Sequence, residues 1–241
     1  MLRPVHEDER FIAIYKPAGL LVHRTGIDAA DQRSAVQMVR QQWAPDASPV
    51  HRLDKPTCGV LLFAKDAEAL RWAQAEWGEQ RVQKRYLAVV RGWMEGAGLI
   101  DYALRPEAEF RGRQRERPAQ EAQTRYEVLQ RVELPLAVGR YATARFSLVR
   151  LSPLTGRTHQ LRRHMAHLRH PIVGDTRHGD GAQNRFAREQ LNAVRLFLIA
   201  DGLSFERGFA GTEPMRLEAT PDTELAAALE RCGFAVDEMS C

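Results

Sequence analysis

The chain has 241 residues, with 35 Lys+Arg against 31 Asp+Glu, 44% hydrophobic and 27% charged, a mix that excludes a disordered or fibrous protein and leaves a soluble globule of one large domain or two lobes. Cys58, Cys232 and Cys241 are odd in number and lack any CxxC pattern, and the amino terminus carries acids where a signal peptide needs an apolar core, so a disulfide framework, a thiolate zinc site, secretion and membrane insertion are excluded and the protein reads as cytoplasmic. From Asp222 to Cys241 five acids face one base, a local −4 within a net +4, which leaves +8 on residues 1–221, a body that attracts polyanions.

In chain order, Phe11 to Tyr15 reads as a strand stopped by Pro17 and Gly19. Ala35, Val36, Val39 and Trp43 lie on one helical stripe. Gly59 to Ala64 reads as a buried strand, and a helix capped by Asp66 places Leu70, Ala73 and Trp77 inward. Further strands are expected at Arg85–Val90, Thr124–Leu129, Ala142–Leu151 and Arg195–Phe205. Residues 105–123 have no apolar period and hold Arg105, Arg111, Arg113, Arg115 and Arg117, which predicts an exposed arginine-rich loop, either a solvated connection or an arm on a nucleic-acid backbone. Thr158 is expected to cap a helix that points Leu161, Met165 and Leu168 inward and leaves arginines and histidines on its flanks. Thr220-Pro221-Asp222 opens a last helix with Leu225, Ala228, Leu229 and Cys232 as its buried stripe. Strands without regular βαβ alternation make this an α+β fold, a mixed, largely antiparallel sheet with flanking helices.

Two segments carry chemistry. In Val50-His51-Arg52-Leu53-Asp54-Lys55-Pro56-Thr57-Cys58-Gly59 a carboxylate sits between cations just before a buried strand. Such an aspartate can be held ionised to act as nucleophile or base, although an Arg-Leu-Asp triplet alone also reads as a surface ion pair. The second, Thr155 to His167, aims the N–H groups of a helix start and several cations at an anion. It lies in the arginine-rich stretch Arg150–Arg188, which holds eight of the 31 arginines and five of the eight histidines; the chain has only four lysines. His164, His167 and His170 recur every three residues, as on a metal-binding helix face, but there is no HExxH pattern and arginines crowd the same faces. No metal is expected.

His51-Arg52-Leu53-Asp54, followed by Thr57, Gly59 and Leu61-Leu62, resembles the signature of the RluA-type RNA pseudouridine synthases. Three other stretches agree in order: Lys16-Pro17-Ala18-Gly19-Leu20, Lys84-Arg85-Tyr86-Leu87-Ala88 and Gly156-Arg157-Thr158-His159-Gln160-Leu161-Arg162. The resemblance covers roughly residues 5–220. Pro56, the run Leu168 to Asp180 and Gln183-Asn184-Arg185 are similar to bacterial members that modify tRNA at position 65. One departure is Cys58, where the family usually has serine.

The resemblance implies an isomerase that converts uridine to pseudouridine in tRNA, built as a single catalytic domain over 1–241 around a central RNA-binding cleft. No S4-like domain is expected ahead of the Lys16-Pro17 motif. It implies Asp54 as the essential catalytic residue, Arg162 as its basic partner and Tyr86 as the ring that stacks on uracil and reaches the C5 proton. Arg52, His51, Leu161, Arg157, His159 and Gln160 fall in RNA-contacting motifs, with Arg52 placed to fill the space of a flipped nucleotide and Leu161 to wall the ring; Arg113 and Arg115 are further candidates for backbone contact. No cofactor, no membrane partner and a monomeric state are expected. The alternatives are action on ribosomal RNA, a non-catalytic basic RNA-binding or chaperone protein, and a metal hydrolase using the three histidines.

Overall fold

The computed structural model describes residues 1–23, 33–107 and 118–235. Strands β1 (Arg3–Glu7) and β2 (Phe11–Lys16) form an antiparallel hairpin. Asp8 closes its turn by accepting from the N–H groups of Arg10 at 2.8 Å and Phe11 at 2.7 Å. Helix α1 (Ala35–Gln42) begins at a Ser34–Gln37 capping box and buries Ala35, Val36 and Val39, while Trp43 of the expected stripe is its C-cap. After the short β3 (Ser48–Pro49) comes β4 (Cys58–Ala64), buried at every residue. Helix α2 (Ala67–Gly78) is capped by Asp66 as expected and buries Ala69, Ala73 and Glu76, with Leu70 and Trp77 half-buried. An acid on the inner face is tolerated because Arg81 donates Nε to Glu76 at 2.7 Å.

Strands β5 (Val82–Arg91), β6 (Ala97–Asp101), β7 (Gln123–Leu134) and β8 (Ala144–Pro153) follow. Helix α3 (Gln160–His167) departs from expectation: its N-cap is His159, in a left-handed conformation with φ 53° and no side-chain cap, and Arg162 and His164 are buried with Leu161 and Met165. Helix α4 (Gly181–Leu191), capped by Asp180, has no counterpart in the sequence reading. The chain closes with β9 (Leu198–Phe205), β10 (Arg216–Glu218) and α5 (Thr223–Arg231), which buries the expected Leu225, Ala228 and Leu229, with Cys232 buried just past its end. The helix opens at Thr223, later than the Thr220-Pro221 start the sequence predicts, and Asp222 accepts the Tyr15 hydroxyl at 2.7 Å.

The chain forms two compact units, Met1–Tyr86 with Leu198–Thr223, and Leu87–Phe197 with Glu224–Cys241. In the first, the strand order is β1-β2-β4-β9-β5, with β3 on β4 and β10 on β9. Antiparallel pairs dominate, and β4 with β9 is parallel, through Cys58 opposite Ile199 and Gly59 opposite Ala200. Gly59 has φ +112°, and a Cβ there would lie 2.2 Å from the Ala200 carbonyl oxygen, so this close approach needs glycine. Ile12, Ile14, Leu53, Leu61 and Phe63 form its core with Val36 and Val39 of α1, and Trp72 stacks on Phe205 at 5.1 Å beneath Phe11. In the second unit the latter half of β5 is followed by β8, β7 and β6; β7 runs antiparallel to both β8 and β6. The fold is therefore the mixed, largely antiparallel α+β architecture expected. No helix among the described residues is long and apolar enough to cross a membrane.

Of the arginine-rich segment only its ends are described. Leu104 and Gln120 exchange N–H and carbonyl bonds at 2.8 and 2.9 Å, and the Tyr102 N–H reaches the Ala122 carbonyl at 3.1 Å. Arg111, Arg113, Arg115 and Arg117 lie outside the described residues.

Candidate active site and nucleic-acid interface

In the first unit the site is the turn that leads into β4. Leu53 is buried in the core, Asp54 is half-buried and Arg52 exposed. The Thr57 N–H returns to the Asp54 carbonyl at 3.1 Å, closing a turn around Lys55-Pro56. A second loop pins this turn. The Lys55 carbonyl accepts from the Gly19 N–H at 2.8 Å and from Lys16 Nζ at 3.1 Å. Lys16 is fully buried and also donates to the carbonyls of Pro17 at 2.9 Å and Leu20 at 2.8 Å, the compensation a buried ammonium needs. The Lys16-Pro17-Ala18-Gly19 loop is thus a clamp on the backbone next to Asp54.

His51 is held from the other side. Its ring stacks on Trp77 at 5.1 Å, and its Nε2 accepts the Leu62 N–H at 3.1 Å, which leaves Nδ1 as the protonated nitrogen of the neutral ring. Burial, with the nearby Lys84 charge, pushes its pKa down to about 4. Cys58, the departure from the family pattern, is fully buried and donates Sγ–H to the Leu198 carbonyl at 3.7 Å.

Tyr86 packs half-buried against the same core as Leu53. Burial, then the negative charges of Asp54 and Asp201, raise its pKa far above the ordinary tyrosine value. The structure therefore brings Asp54 and Tyr86 together, and the phenol stays protonated. Asp201 is itself buried and accepts from Arg85 Nε at 2.7 Å, whose Nη2 reaches Glu218 at 3.1 Å.

In the second unit α3 organises the other motif. Gln160, 4% exposed, spends its whole amide inside: Oε1 accepts from Thr155 Oγ1 at 2.7 Å and the Arg157 N–H at 3.0 Å, while Nε2 donates to the Gln123 carbonyl at 2.9 Å and Thr124 Oγ1 at 3.0 Å. Arg157 is exposed and donates Nε to the Glu121 carbonyl at 2.9 Å. Leu161 is buried. Arg162, 5% exposed, makes a two-pronged pair with Asp175, Nε to Oδ2 and Nη2 to Oδ1, each 2.8 Å.

Asp175 was not singled out in the sequence. Burial alone would raise its pKa, but Arg162 and the N–H groups of His178 and Arg177, at 3.0 and 2.9 Å, hold it below the ordinary carboxylate value. The turn that presents it depends on Gly174, at φ +79°, where a Cβ would lie 1.9 Å from the Arg195 carbonyl oxygen. A glycine before an acid in Gly174-Asp175-Thr176-Arg177-His178 was the legible signal.

The three histidines weighed as a metal face serve other ends. His164 bonds Thr124 Oγ1 and the Tyr102 carbonyl, both at 3.0 Å, His170 bonds the Arg91 carbonyl at 2.7 Å, and His167 stacks on Tyr102 at 3.6 Å. Among the described residues, donor atoms close enough to share an ion occur instead at Glu107, His159 and His178. Their mutual distances are 3.0 to 3.3 Å, with Arg177 and Arg163 on the same carboxylate at 2.6 and 3.9 Å. Two guanidinium groups at that range oppose a cation.

The sequence pattern of the RNA pseudouridylate synthases matches residues 10–167. The chain belongs to the RNA pseudouridylate synthase family. It is 44% identical over 225 residues to the tRNA pseudouridine synthase C of Vibrio parahaemolyticus, covering 92% of each chain, and 46% identical to that of Haemophilus influenzae over 208 residues, covering 85% of this chain and 87% of the relative. The solved human RNA pseudouridylate synthase domain-containing 1 superposes with a TM-score of 0.71 at 30% identity, covering 92% of this chain and 84% of that one.

Proposed function

We propose that this protein isomerises a uridine of tRNA to pseudouridine, at position 65, with Asp54 as the catalytic carboxylate. The observation that carries the reading is the placement of Asp54. It is half-buried in a turn clamped by Lys16 and Gly19, and its charge bears on the Tyr86 phenol. The high identity to enzymes named for tRNA supports the substrate.

The reaction breaks the bond from uracil N1 to ribose C1′, turns the base and joins C5 to C1′; C5 gives up its proton and N1 takes one. Nothing is oxidised or added, so the chemistry calls for no cofactor or metal. Asp54 acts on the sugar, by attack at C1′ or by taking the 2′ proton. Tyr86, its phenol held protonated by burial, serves as a stacking platform and hydrogen-bonding group whose hydroxyl reaches the C5 proton. Arg52, exposed beside Asp54, fills the space of the extruded nucleotide or holds its phosphate, at an extrusion cost of a few kcal/mol. The shared motif supports the family's basic role for Arg162, with Asp175 orienting its guanidinium. Leu161, Arg157 and His159 belong to the same RNA-facing motif. His51 and Gln160 act as positioning residues, since their polar atoms are spent inside the protein. The enzyme works as a cytoplasmic monomer.

The test is incubation of the purified protein with unmodified tRNA transcripts and mapping of the modified base. Pseudouridine at position 65 with the wild type, and none with Asp54→Asn that still binds tRNA, is the expected result. Product in ribosomal RNA alone would move the specificity; tight RNA binding without product would favour a chaperone.

A further inference from the structure

A cluster in the second unit lies outside the chemistry described so far. The Glu107 carboxylate is surrounded by Arg177 Nη2 at 2.6 Å, His178 Nε2 at 3.1 Å, His159 Nδ1 at 3.2 Å and Arg163 Nε at 3.9 Å; the two ring nitrogens also share a hydrogen bond at 3.0 Å, so as neutral rings they offer an anion one N–H between them. His159 is also the N-cap of α3, where unsatisfied N–H groups favour negative charge. Counting both histidines as neutral, the two arginines and Glu107 leave a net charge of +1, and removing the carboxylate would leave +2. The fit of the carboxylate is incomplete: Oε2 is buried and, despite its charge contact with Arg177, makes no hydrogen bond of proper geometry. The arrangement is therefore an anion site that already holds an anion, with a directed bond from His159 to Oε1 at 3.3 Å and none to Oε2.

We propose that His159, Arg163, Arg177 and His178 form an RNA-phosphate subsite which Glu107 occupies in the free protein and yields when RNA binds. The proposal rests on the RNA-modifying reading above and adds to it a competitor built into the chain. A phosphodiester offers two anionic oxygens on a tetrahedral centre in place of the carboxylate, and guanidinium groups bind it in the same forked manner. Glu107 neutralises the subsite against weakly held anions, so that a phosphate must arrive as part of a larger bound surface to displace it.

The experiment measures tRNA affinity against salt for the wild type, Glu107→Gln, Arg177→Gln and the double variant, with circular dichroism to verify folding and pseudouridine formation measured alongside. Glu107→Gln is expected to tighten tRNA binding about three- to tenfold. Arg177→Gln should weaken it and lower the slope of log K against log salt by about one, as loss of one phosphate contact requires; the double variant should lose the Glu107→Gln gain. Histidine ring resonances titrated with inorganic phosphate separate the sources. Shifts that saturate with phosphate alone, together with unchanged tRNA affinity in Glu107→Gln, would make this a free-phosphate site and overturn the RNA assignment. Unchanged or weaker tRNA binding by folded Glu107→Gln would overturn the proposal even where the wild type forms pseudouridine, whereas a wild type that neither binds nor modifies tRNA would fail the underlying reading instead. Stoichiometric zinc held by the wild type and lost in Glu107→Gln would also overturn it, by making the cluster a cation site.

Discussion

Asp54, Tyr86 and His51 carry different amounts of their role in the sequence. Asp54 was legible as a candidate because the motif around it, Arg52 and Pro56 included, agrees in order with three others along the chain. The protonation of Tyr86 was not, because it depends on burial and on Asp54 and Asp201, 32 and 115 positions away. His51 shows how a motif residue can turn inward: an RNA contact was expected, yet its acceptor nitrogen is used by the Leu62 N–H and its ring by Trp77. Its folded pKa, about 4, lies below the ordinary value near 6.5. The group is neutral in the folded state, so its contribution to stability is present above about pH 6.5 and is lost as pH falls from there toward 4. Urea midpoints measured across this window should fall for the wild type and fall less for His51→Gln. His164 and His178, also lowered by burial, act in the same direction, so the difference between the two proteins is the quantity that counts. Identical slopes would remove His51 as a source.

At the scale of elements, β4 and α2 followed directly from an apolar run and an Asp cap, whereas α3 did not follow from its own sequence. The sequence pattern predicts a Thr158 hydroxyl cap with the polar residues facing outward. Instead Gln160 reaches back to Arg157 and across to β7, and Arg162 and His164 go inward because Asp175 and Thr124 wait for them. A helix of eight residues has little intrinsic stability in water, so its start is determined by such tertiary partners. Gln160→Ala should therefore destabilise the protein by about 2–4 kcal/mol, because it strips four bonds and leaves buried groups unpaired. Gln160→Glu should cost a similar amount, since an ionised carboxylate cannot donate to the Gln123 carbonyl. Denaturant unfolding reads both; a loss of under about 0.5 kcal/mol would refute the clasp. The missed α4 has a plain cause: Asp180-Gly181 opens it and Phe186, Ala187 and Leu191 are its apolar stripe, too sparse a pattern to stand out among arginines.

For the whole molecule, the net charge of +4 understates the field that a polyanion meets, because the acidic end from Asp222 onward offsets a body of +8. If tRNA is the substrate, its affinity should fall steeply with salt, by at least about tenfold between about 50 and about 200 mM, as neutralised phosphates release counterions. A flat response in filter binding would contradict the charge argument. Folding also joins distant parts of the chain. Tyr15 meets Asp222, 207 residues later, and Arg85 meets Asp201, 116 later, so the first unit is complete only when strands from both ends of the chain have come together.

By itself the sequence determined the elements with strong apolar periods and the α+β class, and it singled out Asp54 as the candidate carboxylate, because backbone patterning and a dense local motif are written in neighbouring residues. Only the tertiary structure decided which charge pairs with which: Arg162 with Asp175, Lys16 with the carbonyls around Asp54, and Glu107 with His159, Arg163, Arg177 and His178. The physical reason is the range of the forces involved. Hydrophobic periodicity repeats every few residues along the chain, while a buried charge must be compensated within about 4 Å in space by whatever group the fold brings there.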